Sequence, residues 1–370
     1  MKKLLAWARQ EKGRFLWLGI TAAALALFFI LRQSRAVMTF LSVYIIMPLE
    51  RAIGAVCGLV EVSVAELLYM LAVALGIFYI ADTVRALVKS KGRRGAVLGR
   101  FLLTVTDILL TVFLGFCLLW GTNYNVDGFQ ERSGIYGRSS SVEELTRLTR
   151  YFADQVTAAA DTVERDAYGI FDEDDDAIFD DSLTVYEGLY EEFPFLHLKE
   201  KRPKAIVSSR VLSAMDFTGF YFPFTGESNL NVDSPRCDLP FTIAHELAHQ
   251  RGIASEQECN FLGLLASLSS PSAAYRYSGW LSGYVYASNA LYRADHDAWK
   301  TIRESLPETV RQDLAYMNWY WAQFEGPVND AATNIYDSFL KSQGDQRGVQ
   351  SYGTVVDLMI AYYLDVHPIG

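Results

Sequence analysis

The chain is poor in cysteine and histidine: its 370 residues hold four of the first and five of the second. Four cysteines are too few for a disulfide framework, and two of them, Cys57 and Cys117, lie in or beside apolar stretches. Cys237 has no partner at C-x-x-C spacing and Cys259 sits within a helical pattern, so neither reads as a metal ligand, while a single bridge between the two stays open. Positive charge is also short. Lys and Arg number 33 against 43 Asp and Glu, and the formal net charge of -10 is carried mostly after residue 123. That balance excludes the basic face that a nucleic-acid partner requires. The chain also lacks internal repeats and long low-complexity tracts.

What it has in abundance is apolar sequence near the N-terminus. Residues 15–31 form an uncharged stretch between Arg14 and Arg32, long enough to cross a bilayer with Trp17 and the arginines at the interfaces. Residues 62–81, with only Glu66, and residues 102–121, with only Asp107, predict two more transmembrane helices. The stretch 36–60 is apolar too, but Pro48, Glu50 and Arg51 divide it, which predicts an interfacial or re-entrant segment. Lys2, Lys3, Arg9, Lys12 and Arg14 precede the first span, and Lys89, Lys91, Arg93, Arg94 and Arg100 sit between the second and third. Positively charged loops stay on the cytoplasmic side, so three crossings carry everything after about Asn123 out of the cytoplasm. A fourth crossing within 36–60 would push the basic loop outward. No small-residue cleavage pattern follows the first span, which therefore reads as an uncleaved anchor. The expected organisation is a membrane anchor over 1–123, a Gly- and Ser-rich linker over 124–141, and an extracytoplasmic domain over 142–370.

Within that domain, Val142 to Arg165 repeats apolar residues at helical spacing and opens with Ser140 and Ser141 before Glu143 and Glu144, a capped amphipathic helix. The acidic run 172–176 lacks the Gly turn and ligand spacing of a calcium loop and reads as a solvated loop. Between Lys204 and Asn231, β-branched and aromatic residues broken by Gly and Pro predict short strands with a turn at Gly226. From Tyr277 the pattern is helical almost to the end, including Tyr352 to Leu364. The predicted fold class is α+β, mainly helical, behind N-terminal transmembrane helices.

Asp238 to Gly252 reads as one short helix, with helix-opening residues at its start and a glycine suited to a C-terminal cap. Histidines four apart share a helix face, so His245 and His249 can turn toward one ion while Glu246 is placed as a general base. With five histidines in the chain, a chance H-E-x-x-H match has an expectation of roughly one in several hundred. A catalytic zinc needs a third protein ligand, and Glu256 and Glu258 follow closely. Ser255 and Glu258 have capping-box spacing, which gives Glu258 a structural task and leaves Glu256 as the predicted third ligand, with Glu258 the alternative. Asn260, one turn further on, is placed to orient a ligand. Tyr277, Tyr284 and Arg276 are candidate oxyanion donors that could equally be packing or surface residues. His197, His296 and His367 have no motif around them.

The run His245-Glu246-Leu247-Ala248-His249 followed by Glu256-Gln257-Glu258-Cys259-Asn260 resembles the gluzincin form of the zincin pattern, H-E-x-x-H with E-x-x-x-D or E-x-x-x-N. The wider run takes in Phe222 to Glu227, Pro240-Phe241-Thr242, His245 through Phe261 and the aromatic stretch around Tyr275 to Tyr286. It is similar to a bacterial family of membrane proteins defined by a domain of unknown function, DUF 3810, and the likeness covers most of the chain. The resemblance implies a zincin-like metallopeptidase domain with one Zn2+ ion, anchored in the bacterial cytoplasmic membrane. It also implies a strand within 217–232 that lines the cleft and pairs with an extended substrate. Asn260 stands where many gluzincins carry an acid.

The expected reaction is peptide hydrolysis by a zinc-activated water, with Glu246 taking its proton and delivering it to the leaving amine. The expected partners are a peptide or protein substrate and the lipid bilayer, with no nucleic acid. A non-catalytic zinc sensor or assembly protein is the rival from another class, and intact Glu246 argues against it. A zinc amidase acting on cell-wall peptides would use the same chemistry. An intramembrane protease is opposed by Asp238, Arg251 and Glu256 crowding the metal helix.

Overall fold

A computed structural model describes residue 7 and residues 9–90, 92–343 and 355–369. Lys2, Lys3, Lys91 and Tyr352, which enter the sequence expectations, lie outside the described residues. The chain divides into two compact units. One comprises Met1–Ile53, Val64–Val126 and Pro223–Thr225, and the other Gly54–Ser63, Asp127–Phe222 and Gly226–Gly370.

The long apolar runs of the N-terminal region form α1 (Lys12–Leu31), α2 (Arg35–Cys57), α3 (Val64–Lys89) and α4 (Arg94–Leu119). All four are long and apolar enough to cross a membrane. The second departs from expectation, because Pro48 does not cut it into short pieces. The helix widens into a π-helical turn at Ser42–Ile46 just before the proline, where the ring's clash and its missing N–H are absorbed. Helices α1 and α4 run parallel: Arg14 bonds Thr104, Trp17 Nε1 donates to Thr111 Oγ1 at 2.9 Å, and the Phe28 ring lies against Gly121. Their basic N-terminal ends, with Lys12 and Arg14 on one and Arg94 and Arg100 on the other, therefore share a side. At the opposite end of α4, Ser42 of α2 donates to Asn123 Oδ1 at 2.7 Å.

Among its described residues the second unit is mainly helical with one small sheet. The segment expected to be a linker is packed instead: α5 (Phe129–Ser133) plants a fully buried Phe129 among Phe193, Phe195 and Phe261. Helix α6 (Val142–Ala159) opens with the Ser141 and Glu144 capping box and buries Leu145, Leu148, Phe152 and Val156 along one face. The acidic run leads into α7 (Asp175–Asp181) rather than a loop, because Asp174 accepts from Ala177 N at 3.0 Å and caps it.

Strands β1 (Lys204–Ala205), β2 (Gly219–Phe222) and β3 (Glu227–Leu230), with helix α8 (Ser209–Ala214) between the first two, form a sheet of order β1-β3-β2. Its central strand pairs parallel with β1 and antiparallel with β2, placing Phe220 opposite Asn229. Gly226 supplies the positive φ that the β2–β3 turn needs.

The remaining described elements are helical: α9 (Leu239–His249), α10 (Glu256–Ser269), α11 (Ala273–Ala294), α12 (His296–Ser305), α13 (Glu308–Ala322), α14 (Pro327–Gln343) and α15 (Val355–Ile360). Helices α6, α9, α10, α11 and α15 share one apolar core. At Gly263 of α10 an added Cβ would stand 3.0 Å from the backbone nitrogen of His245. A side chain there would press the α9 backbone outward by a few tenths of an ångström, so the glycine favours the close approach of α10 to α9 on which the site's geometry depends.

Candidate metal centre

Helix α9 begins with Pro240 in its first turn and ends at His249, after which Gly252, at φ 79°, reverses the chain. Three residues later the Ser255 hydroxyl accepts from Glu258 N and starts α10. The reversal brings Glu256, the first residue of α10, against the α9 face that carries both histidines. One ligand atom from each of His245, His249 and Glu256 lies within 4.8 Å of the others. His245 Nε2 is 3.2 Å from Glu256 Oε2, and His249 Nε2 is 3.7 Å from Glu256 Oε1.

The far side of each ring is held by an acceptor. Asn260 Oδ1 lies 2.9 Å from His245 Nδ1, and the Ile253 carbonyl 2.8 Å from His249 Nδ1. Neither acceptor atom carries a hydrogen, so each Nδ1 donates and each Nε2 turns inward. Tyr336 of α14 donates to Glu256 Oε1 at 2.6 Å. Two inward imidazole nitrogens and a carboxylate thus converge on a point that calls for a positive charge. The set fits a metal ion with three protein ligands and an open position. Burial works against the charge on Glu256, but His245 and His249 outweigh it and hold the carboxyl at about 2. Burial likewise opposes a proton on His245, and Glu256 outweighs it and raises that ring. For His249 burial wins and lowers the ring.

Glu246 lies beside this cluster and is buried. Burial pushes its carboxyl up to about 8, with His245 opposing and Glu256 adding to the rise. Its Oε2 has no hydrogen-bond partner among the described residues, and an added Cβ at Gly219, the first residue of β2, would meet Oε1 at 3.0 Å. A buried, unpartnered carboxyl that titrates near neutrality next to a donor cluster is equipped for proton transfer.

Other expected residues fall elsewhere. Glu258 points away from the cluster: its carboxylate accepts from Phe129 N at 2.8 Å and Gln130 N at 3.1 Å and caps α5. An added Cβ at Gly128 would stand 2.5 Å from that carboxylate, so any larger residue there would have to displace the Glu258 cap. Tyr277 donates to Asp313, which also pairs with Arg165, and Tyr284 is sealed in the apolar core. Arg276 donates to the Ser270 and Pro271 carbonyls. None of these three is placed as an oxyanion donor. All four cysteines are free, with Cys237 in the core and Cys259 Sγ 3.3 Å from His249 Nδ1, so no bridge joins them. Tyr336 is the residue that sequence reasoning missed, since no motif marks it and it reaches Glu256 across 80 positions.

A profile of the family described as "Protein of unknown function (DUF3810)" matches residues 42–360. No curated protein and no solved structure matches the chain.

Proposed function

Because the chain belongs to the DUF3810 family, whose description assigns no activity, we propose a function from its own residues: a membrane-anchored, zinc-dependent metallopeptidase with a zincin-like outer domain. The observation that carries this reading is the convergence of His245, His249 and Glu256 beside a buried Glu246 with a free oxygen. Those three residues would hold the ion. Zinc suits the donor set and, when bound, supplies Lewis acidity that makes water nucleophilic near neutral pH and polarises a carbonyl. Glu246 takes the proton of the attacking water and passes it to the leaving amine nitrogen, a two-way transfer suited to a carboxyl poised near neutrality. Asn260 and the Ile253 carbonyl keep the imidazoles in the tautomer that presents Nε2. Strand β2 begins at Gly219 beside Glu246, which sets the sheet next to the donor cluster. A purely structural zinc site would have no use for Glu246 and would be closed by four protein ligands.

The parallel run of α1 and α4 supports a cytoplasmic N-terminus, because it gathers Lys12, Arg14, Arg94 and Arg100 on one side. Helix α4 then leads the chain to the extracytoplasmic side of a bacterial membrane. Helix α2 bonds Asn123 near its start. Asn123 follows the outer end of α4, so this bond favours a helix at the outer face, with α1, α3 and α4 as the three crossings.

The test is metal content and degradation of a mixed peptide library by the full-length protein in nanodiscs, beside Glu246→Gln. One zinc per chain in both, with cleavage by the parent alone, is the expected result. Zinc without cleavage in either would turn the reading toward a sensor or a cell-wall amidase, and no zinc in either would sink it.

A further inference from the structure

The loop of residues 57–63 joins α2 to α3, two helices that are each apolar enough for a membrane, so it sits at the bilayer surface. Its side chains suit that place. Leu59, Val60 and Val62 are exposed, Leu59 to 83%, and a cluster of exposed apolar side chains at this level meets lipid.

The same loop is tied to the sheet beside the metal centre. Lys204 Nζ donates to the Cys57 carbonyl at 2.8 Å and the Val62 carbonyl at 2.9 Å, while its buried ion pair with Glu227 bridges β1 and β3. Ser63, the last residue before α3, donates from its hydroxyl to Asn229 Oδ1 at 2.6 Å. Asn229 stands opposite Phe220 in the β3–β2 pairing, and the residue before Phe220 is Gly219, which lies against Glu246. From Ser63 to the Glu246 carboxylate is therefore one side-chain bond, one step between strands and one residue along a strand. With strands about 4.8 Å apart and residues about 3.3 Å apart, the whole path is no more than about 20 Å. An extended peptide covers that distance in about six residues.

Resting on the metallopeptidase reading, we infer that this centre cuts polypeptides tethered to the bilayer, at peptide bonds within about six residues of the membrane anchor. A chain leaving the membrane needs only to clear the headgroups to bring its next bond to Glu246. Substrates free in solution, and bonds far from an anchor, are poor by comparison. Confinement to the membrane raises the effective concentration of any tethered chain by about 100-fold or more, so the distance from the anchor, not tethering alone, is the discriminating variable.

The experiment uses zinc-loaded full-length protein in nanodiscs and a random peptide library in three forms. In two, the library is joined to a diacyl lipid, with the random block starting about two or about twenty residues from the anchor; in the third it is free. Mass spectrometry reads the cut positions, and a lipid with a photoreactive headgroup reports which segments of the protein touch the surface. We expect cuts within about six residues of the anchor, at rates at least about tenfold above the distant and free forms, and headgroup crosslinks in residues 57–63. Equal cutting of all three forms, or no crosslinks in 57–63, overturns the inference and leaves the peptidase reading standing. No cutting of any form by zinc-loaded protein overturns both.

Discussion

Asn260 decides which nitrogen of His245 faces Glu256 in the candidate metal centre, and its replacement by Leu tests that role. Its Oδ1 lies 2.9 Å from His245 Nδ1, and Asn260 is only 2% exposed. In Asn260→Leu the shape is nearly kept and the acceptor is lost. Either the Nδ1–H stays buried without a partner, at a cost of about 1–3 kcal/mol, or the proton moves to Nε2 and removes the ligating lone pair. Partners that orient a metal-bound histidine are worth about 10- to 100-fold in metal affinity. That factor is about 1.4–2.7 kcal/mol, in agreement with the hydrogen-bond figure. Zinc affinity measured by competition with a fluorescent chelator, on full-length protein with its helical circular dichroism intact, is expected to weaken by that factor. Asn260→Asp restores the acceptor, and Asn260 Nδ2 has no partner among the described residues to lose, so this variant is expected to bind zinc at least as well as the parent. An Asn260→Leu protein that binds zinc as tightly as the parent would refute the reasoning.

Tyr336→Phe removes the hydroxyl 2.6 Å from Glu256 Oε1 and is expected to weaken zinc binding by about tenfold, with helical content unchanged; unchanged affinity would exclude an orienting role for Tyr336. Gly263→Ala places a Cβ 3.0 Å from His245 N, and the forced separation of α9 and α10 is expected to cost about 1–3 kcal/mol. A denaturation midpoint equal to the parent's would show that this approach is not tight. Burial, with Asp313 nearby, raises the Asp238 carboxyl from 3.8 to about 7. Stability from the neutral carboxyl is therefore complete below the lower value and lost as the pH rises through the higher one. Asp238→Asn should melt above the parent, by a margin that is larger at about pH 8 than at about pH 5; a margin independent of pH would count against the shift.

The helix that carries His245, Glu246 and His249 and the long apolar helices were legible in the sequence because their signals are local. Residues four apart share a helix face whatever surrounds them, which is why His245, Glu246 and His249 could be named from spacing. The same holds for the apolar runs that became α1, α3 and α4. Where two local readings competed, tertiary packing chose. Glu256 and Glu258 share the first turn of α10, and what separates them is the Phe129 segment, which arrives from far along the chain and claims Glu258 for its own backbone. Pro48 carries a strong breaking signal, yet the wider turn at Ser42–Ile46 lets α2 continue. Residues 124–141 look like a linker by composition, and one aromatic, Phe129, converts them into part of the core. Tyr336 had no local signal at all, because its partner lies on another helix. The sequence by itself determined the helical periods and the chemistry of the donor set. Only the tertiary structure decided which buried carboxylate meets which partner, because that choice depends on contacts between segments whose separation along the chain leaves no periodic trace.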